Sequence, residues 1–390
     1  MDAFDNPFRP GAGTPPPALV GRDELVEKYD IALRRALTGR PGKSLMPIGL
    51  RGVGKTVLLN RFQEIARDRG LRIAFIEASE SGDFKRLLVT RLRSVLLELD
   101  QGPVSRAVKR ALGILKSFTY TLPDGTSISL DVDAVAGSAD SGVLSEDMSD
   151  LLTALGEAAH DRNSGVLIAI DEVQYLDATE LAAIISAIHR TVQLSLPVIL
   201  VGAGLPQLPG LAGTAKSYAE RLFDFPRIGS LEANDARTVL SQPAAEQDVT
   251  FTDEALDELV HITHGYPYFL QEWGYHVWNA APRSPITLED VRLAAPDVQH
   301  QLDNNFFLVR MDRLTPAEKQ YLQAMAELGP GPHRSGDIAT KLGVKVESVA
   351  PRRSVLIQKG MVYSPAHGDT AFTVPLFDEF LRRDPPSGNR

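Results

Sequence analysis

The 390-residue chain contains no cysteine, which excludes disulfides, thiolate metal sites and thiol nucleophiles. It has no apolar run near the roughly 18 residues that a membrane helix needs. Its first residues, MDAFDNPFRPGAGTPPPALVGRDE, lack a basic segment followed by an apolar core, so no secretory signal is expected. These absences fit a cytoplasmic protein. An excess of positive charge is also missing. The net charge is −9, which argues against a chain that binds nucleic acid over its whole surface. The balance is uneven, because residues 310–390 hold 12 Lys/Arg against nine Asp/Glu and leave −12 on everything before them.

What is present is an ordinary soluble composition, 43% apolar and 23% charged, in a chain too long for one core. Residues 1–18 are rich in Pro and Gly and read as an extended lead-in. Between residues 19 and 231, strand patterns (KSLMPIGL, LRIAFIEAS, GVLIAIDE, LPVILVGAG) alternate with helical ones, which predicts an α/β fold: a parallel sheet covered by helices. Within it, residues 101–144 break the pattern. SFTYTLPDGTSISLDVD alternates around Asp124-Gly125, and the spacing predicts an inserted hairpin and loop. Residues 232–309 read as a helical region. Residues 310–390 read as three short helices and a hairpin, the pattern of a winged helix-turn-helix.

The chemistry concentrates at GLRGVGKT, Gly49 to Thr56, which fits G-x-x-x-x-G-K-[ST] completely, with a strand before it and an amphipathic helix after it. Glycines let backbone N–H groups curl around phosphate oxygens, and a helix N-terminus adds partial positive charge. Gly49, Arg51, Gly52, Val53, Gly54, Lys55, Thr56 and Val57 are therefore the expected nucleotide-binding residues. Lys55 would reach the β and γ phosphates of ATP, and Thr56 would offer its hydroxyl to Mg2+. VLIAIDEVQ supplies the acidic partner expected beside such a loop. Asp171 would hold Mg2+ and Glu172 would activate the attacking water. The next strand ends in Gly202-Ala203-Gly204 with no polar side chain. Gln207 is the nearest polar residue, and it also reads as a solvated loop residue. Arg221 lies on a short helical segment where an arginine can stabilise a transferring phosphoryl group across a subunit boundary.

Together these features resemble the AAA+/STAND group of P-loop ATPases, including initiator, origin-recognition and archaeal ATPase members. The resemblance runs from about Leu19 to Ala295. It rests on LVGRDEL, the two motifs above, SYAERL and HGYPYFLQEWG. It implies that Val20, Gly21 and Arg22 pack near adenine, that Arg221 belongs to the arginine-bearing box, and that Pro267 of the Gly-x-Pro motif lies against the base. It also implies that the helical region acts as a lid. The chain departs from the initiator pattern at Tyr268, where an arginine would sense the γ-phosphate. That departure and the bare strand tip point to slow turnover.

Two outputs fit this reading. In one, ATP controls DNA binding by the winged helix, with Arg352, Arg353 and Lys359 on or near its third helix meeting phosphates or base edges. In the other, the same module binds a protein partner. Nucleotide-dependent self-association is compatible with both.

Overall fold

The computed structural model describes residues 1–11, 13–40, 42–80, 82–101, 105–121, 130 and 132–383. They divide into two compact units. The first comprises Met1–Arg22, Gly49–Val57 and Ile228–Arg390, and the second Asp23–Ile48 and Leu58–Arg227.

The second unit is built on parallel strands: β1 (Ser44–Leu45), β2 (Arg72–Glu77), β3 (Val166–Asp171), β4 (Val198–Gly202) and β5 (Phe223–Asp224). β2 pairs with β3 and β3 with β4, while β1 pairs with β5. Just past β1, Ile48 bridges to both Gly204 and Arg227. This joins the two groups in the order β2-β3-β4-β1-β5. All six residues of β3 are buried, as a continuous apolar run covered on both faces requires. Helices α1 (Asp23–Leu37), α2 (Lys55–Asp68), α3 (Phe84–Leu99), α4 (Arg106–Tyr120), α5 (Leu144–Asp161), α6 (Ala178–Gln193), α7 (Leu208–Ala215) and α8 (Ala219–Leu222) follow the chain between strands. Tyr29 of α1 stacks on Phe62 of α2 at 4.2 Å between centroids. A capping box of Asp177 and Glu180 starts α6.

One expectation is corrected here. Residues 106–120, placed in an inserted hairpin and loop, form α4. Ser105 caps it through the Val108 N–H, and Val108, Ala111, Leu112, Leu115 and Phe118 recur at helical spacing on its buried side. The alternation of SFTY is thus the end of an amphipathic helix. The Asp124-Gly125 turn lies outside the described residues.

The first unit holds four helices, α9 (Ala233–Ala245), α10 (Asp253–Thr263), α11 (Pro267–Ala280) and α12 (Leu288–Leu302), then a π-helical turn at Asp303–Leu308 and the short α13 (Val309–Met311). Next come α14 (Pro316–Glu327), β6 (His333–Arg334), α15 (Ser335–Leu342), α16 (Val346–Gln358), β7 (Val362–Tyr363), β8 (Asp369–Phe372) and α17 (Phe377–Arg383). The three strands form an antiparallel sheet of order β6-β8-β7. The lead-in is extended but anchored. Trp278 Nε1 donates to the Asp2 carbonyl at 2.9 Å, Asn6 donates to the Tyr275 carbonyl, and Phe8 is buried edge-on to Phe251 and Trp278. No helix among the described residues is long and apolar enough to cross a membrane.

Because Phe8 is buried and Phe4 is 92% exposed, the two should respond differently to truncation. Phe8→Ala should destabilise the first unit by about 3 kcal/mol in urea unfolding, while Phe4→Ala stays within about 0.5 kcal/mol.

Candidate nucleotide site

The glycine-rich segment follows directly on Ile48, at the carboxyl end of the strand that lies between β4 and β5, where open α/β sheets bind ligands. Gly52 adopts φ +83°, and a Cβ there would stand 3.0 Å from Tyr266 Cε1 and 3.1 Å from Tyr268 Cβ. A side chain at this position is excluded by both conformation and space. Gly54 adopts φ +90° with nothing within 4 Å of a Cβ position, so its conformation alone demands glycine and leaves an open concavity beside the backbone. Val53 and Lys55 are buried. Lys55 Nζ donates to the carbonyls of Gly49 at 3.1 Å and Leu50 at 2.9 Å, so the ammonium lies over the turn of its own loop. Lys55 and Thr56 open α2. A concave backbone, a buried ammonium and a hydroxyl at a helix N-terminus form a donor set that fits a polyphosphate.

The first unit also supplies partners to the loop backbone. The Arg51 N–H donates to the Thr373 carbonyl at 3.0 Å, and the Tyr268 N–H donates to the Gly52 carbonyl at 3.2 Å. The Tyr266 hydroxyl donates to the Arg51 carbonyl. Burial raises the pKa of Tyr266, which keeps its hydroxyl a donor. Burial and the bond to Glu272 raise Tyr268 in the same way. Pro267, the first residue of α11, sits in sequence between these two tyrosines. Gly21 approaches Asp235, and Arg22 donates to the Gly229 carbonyl at 2.6 Å. Burial lowers the Arg22 pKa, and Asp235 partly offsets this. Val20 precedes them in the same unit.

The second unit carries Asp171, Glu172 and Arg221. Asp171, 3% exposed, ends β3, and its Oδ1 accepts the Glu172 N–H at 2.9 Å. Glu172 is left-handed (φ 53°, ψ 42°), a conformation that costs a non-glycine residue energy and is retained mainly at functional positions. Its carboxylate accepts from Gln174 Nε2, and Gln174 Oε1 accepts the Leu205 N–H at 3.0 Å. Gln174 Oε1 is also 3.0 Å from a Cβ built on Gly204. The polar group at the tip of β4 is therefore Gln174, which the motif reading missed, and not Gln207, whose buried Oε1 has no hydrogen-bond partner among the described residues. The signal was the spacing in DEVQ: a 3-10 turn over Val173–Tyr175 turns the side chain at Gln174 back toward Glu172. Arg221 on α8 is exposed.

The three basic residues of α16 and its end behave differently from one another. Arg353 donates to Thr370 Oγ1 at 2.8 Å, Ser364 Oγ at 2.6 Å and the Asp369 carbonyl at 2.8 Å. Lys359 pairs with Glu318 at 2.8 Å and donates to the Arg313 carbonyl. Both brace the module from within, and Arg352 is the remaining half-exposed cation of the three.

Residues 18–201 match the family described as AAA ATPase domain, and residues 304–381 match a family described as a domain of unknown function (DUF8462). A comparison with curated protein sequences returns no match. Among solved structures, the Walker-type ATPase paby2304 of Pyrococcus abyssi is similar over 93% of this chain and 96% of its own, at 16% identity and a TM-score of 0.58. The Aeropyrum pernix Orc1 protein, solved in complex with DNA, covers 95% and 94% at 17% identity and a TM-score of 0.46. The Thermotoga maritima RuvB Holliday junction branch migration motor covers 96% and 100% at 16% identity and 0.47. Of these three, the first shares the fold. The complete loop motif, the parallel sheet order and the match over residues 18–201 make this chain a P-loop ATPase of the AAA+ type.

Proposed function

We propose that the chain is an ATP-binding, slowly hydrolysing switch of the STAND kind, in which the nucleotide on the phosphate loop sets the state of the C-terminal module. One observation carries this reading. The Arg51–Gly52 segment is hydrogen-bonded by Thr373 of the C-terminal module and by Tyr266 and Tyr268 at the start of α11. Any change in the loop backbone on binding phosphate is felt by those partners directly.

The roles follow from the chemistry of each group. Backbone N–H groups of Gly49–Val57 hold phosphate oxygens, and Lys55 neutralises the β and γ phosphates. Thr56 and Asp171 provide the hard oxygen donors that suit Mg2+, which when bound offsets phosphate charge. Glu172 accepts the proton of the attacking water, oriented by Gln174. Val20, Gly21, Arg22 and Pro267 form the base side of the site. Exposed Arg221 serves a neighbouring copy in a nucleotide-dependent oligomer.

Three helices followed by the β6-β8-β7 sheet support reading residues 310–390 as a winged helix and α9–α12 as a lid. Its output is best read as a protein contact. Arg353 and Lys359 are spent inside the module, and the outward residues of α16 include Val346, 48% exposed, and Val355, 36% exposed. A DNA output keeps one specific support, Arg352 together with Arg334, whose side chain is 84% exposed.

Lys55→Ala should abolish ATP binding measured by calorimetry. Glu172→Gln should leave binding within about twofold and lower single-turnover hydrolysis by about 100-fold or more; wild-type turnover in that variant would remove Glu172 from the mechanism. Tyr266→Phe removes one clamp bond. In that variant, hydrogen exchange across residues 362–373 should lose most of the ATP dependence it shows in the parent, and an undiminished response would refute the coupling. A duplex-DNA gel shift that weakens steeply with salt and is lost in Arg352→Ala would choose the DNA output over the protein one.

A further inference from the structure

Arg310 was not singled out by any motif, yet it occupies an unusual place. It follows the π-helical turn Asp303–Leu308, a geometry that proteins keep mostly at functional positions. Its guanidinium lies 3.9 Å above the ring of Phe306, and its Nη1 donates to the Phe306 carbonyl. No carboxylate among the described residues pairs with it. Phe306 in turn stacks on Tyr268, 4.6 Å between centroids and 21° between planes. The Tyr268 N–H is bonded to the Gly52 carbonyl. A short ladder of rings therefore carries the Arg310 charge to the phosphate loop. Its nearest influential charge there has the same sign: burial first, and then Arg51, lower the Arg310 pKa to about 10. Two guanidinium groups near each other, one of them buried and without a carboxylate, are an arrangement that an anion stabilises.

We propose that Arg310 and Arg51 form a binding site for a phosphoryl oxyanion, the terminal phosphate of the nucleotide. By this route the C-terminal domain of unknown function distinguishes ATP from ADP. The proposal rests on the ATPase reading and extends it, since Arg310 lies within residues 304–381 and Arg51 within residues 18–201. The planar forks of the two arginines suit the three terminal oxygens, and their mutual repulsion disappears once those oxygens lie between them. ADP lacks that group and leaves the pair uncompensated.

The test is calorimetry of ATP, ADP and inorganic phosphate on the full chain, for the parent, Arg310→Lys and Arg310→Gln, with Lys55→Ala as the control for the nucleotide site itself. The parent should bind ATP at least tenfold more tightly than ADP. Arg310→Gln should bring ATP down to the affinity of ADP while ADP changes by less than twofold, and Arg310→Lys should fall between. Phosphate alone binding to the parent and lost in Arg310→Gln, with the ATP/ADP ratio unchanged, would keep the oxyanion site and assign it to free phosphate. Equal losses for ATP and ADP, or no change in any ligand, would overturn the proposal and leave Arg310 as a brace for Phe306. If the parent binds neither nucleotide, the ATPase reading fails, and the phosphate titration still decides the site. Should Arg310→Gln fold poorly, the ATP/ADP ratio in Arg310→Lys decides alone.

Discussion

The hydrogen bonds to the Arg51–Gly52 segment are the constraint on which the first unit turns. A phosphate loop must leave some backbone N–H groups facing its ligand. Its other polar groups still need partners, because burying them unpaired costs about 1–3 kcal/mol each. Here the partners come from distant parts of the chain: the Thr373 carbonyl for the Arg51 N–H, the Tyr266 hydroxyl for the Arg51 carbonyl, and the Tyr268 N–H for the Gly52 carbonyl. At about 1 kcal/mol net each, three such bonds amount to roughly two decades in an equilibrium constant. That is enough to couple two sites. The coupling is reciprocal: whatever binds and displaces the C-terminal module changes nucleotide affinity by the same factor.

The second unit works by rigidity. β3 is buried along its whole length, so Asp171 at its end is fixed by the packing of the strand. The chain then turns sharply. Glu172 takes a left-handed conformation, and Gln174 ties its carboxylate to the Leu205 N–H past the end of β4. Strain at one residue and a side-chain bridge at the next but one hold a carboxylate in a single orientation. A general base needs orientation of this kind more than it needs a perturbed pKa.

The parts legible in the sequence are those encoded locally. The apolar run of β3, the glycine spacing of the loop and the helical periods of α9–α12 each lie within a short window, and each folds as that window dictates. The parts that were hidden depend on partners far along the chain or on competing local signals. α4 was masked by the Asp124-Gly125 turn signal next to it, although its own apolar spacing is helical. The DNA-facing role expected of Arg353 and Lys359 could not be weighed without knowing that Thr370, Ser364 and Glu318 would be there to engage them. The Tyr268–Phe306–Arg310 ladder joins residues nearly forty positions apart through ring faces, and no spacing rule encodes that. Similarly, the Pro- and Gly-rich lead-in gave no sign that Phe8 would be buried beside Trp278.

A buried guanidinium over an aromatic ring is stabilised by cation–π attraction of about 2 kcal/mol at most in such settings, less than the several kcal/mol lost on desolvating an ion. The difference is stored in the protein before any phosphoryl group arrives and is recovered when one does. A motor benefits from spending binding energy on the transition state of hydrolysis, because only that raises its turnover. Energy recovered on binding the ground-state nucleotide instead lengthens the life of the bound state. The same preference follows from Tyr268 standing where initiator-type relatives carry an arginine, and from a β4 tip whose polar contact is a glutamine tied to the base. Each of these favours holding ATP over consuming it, which is the property a switch requires.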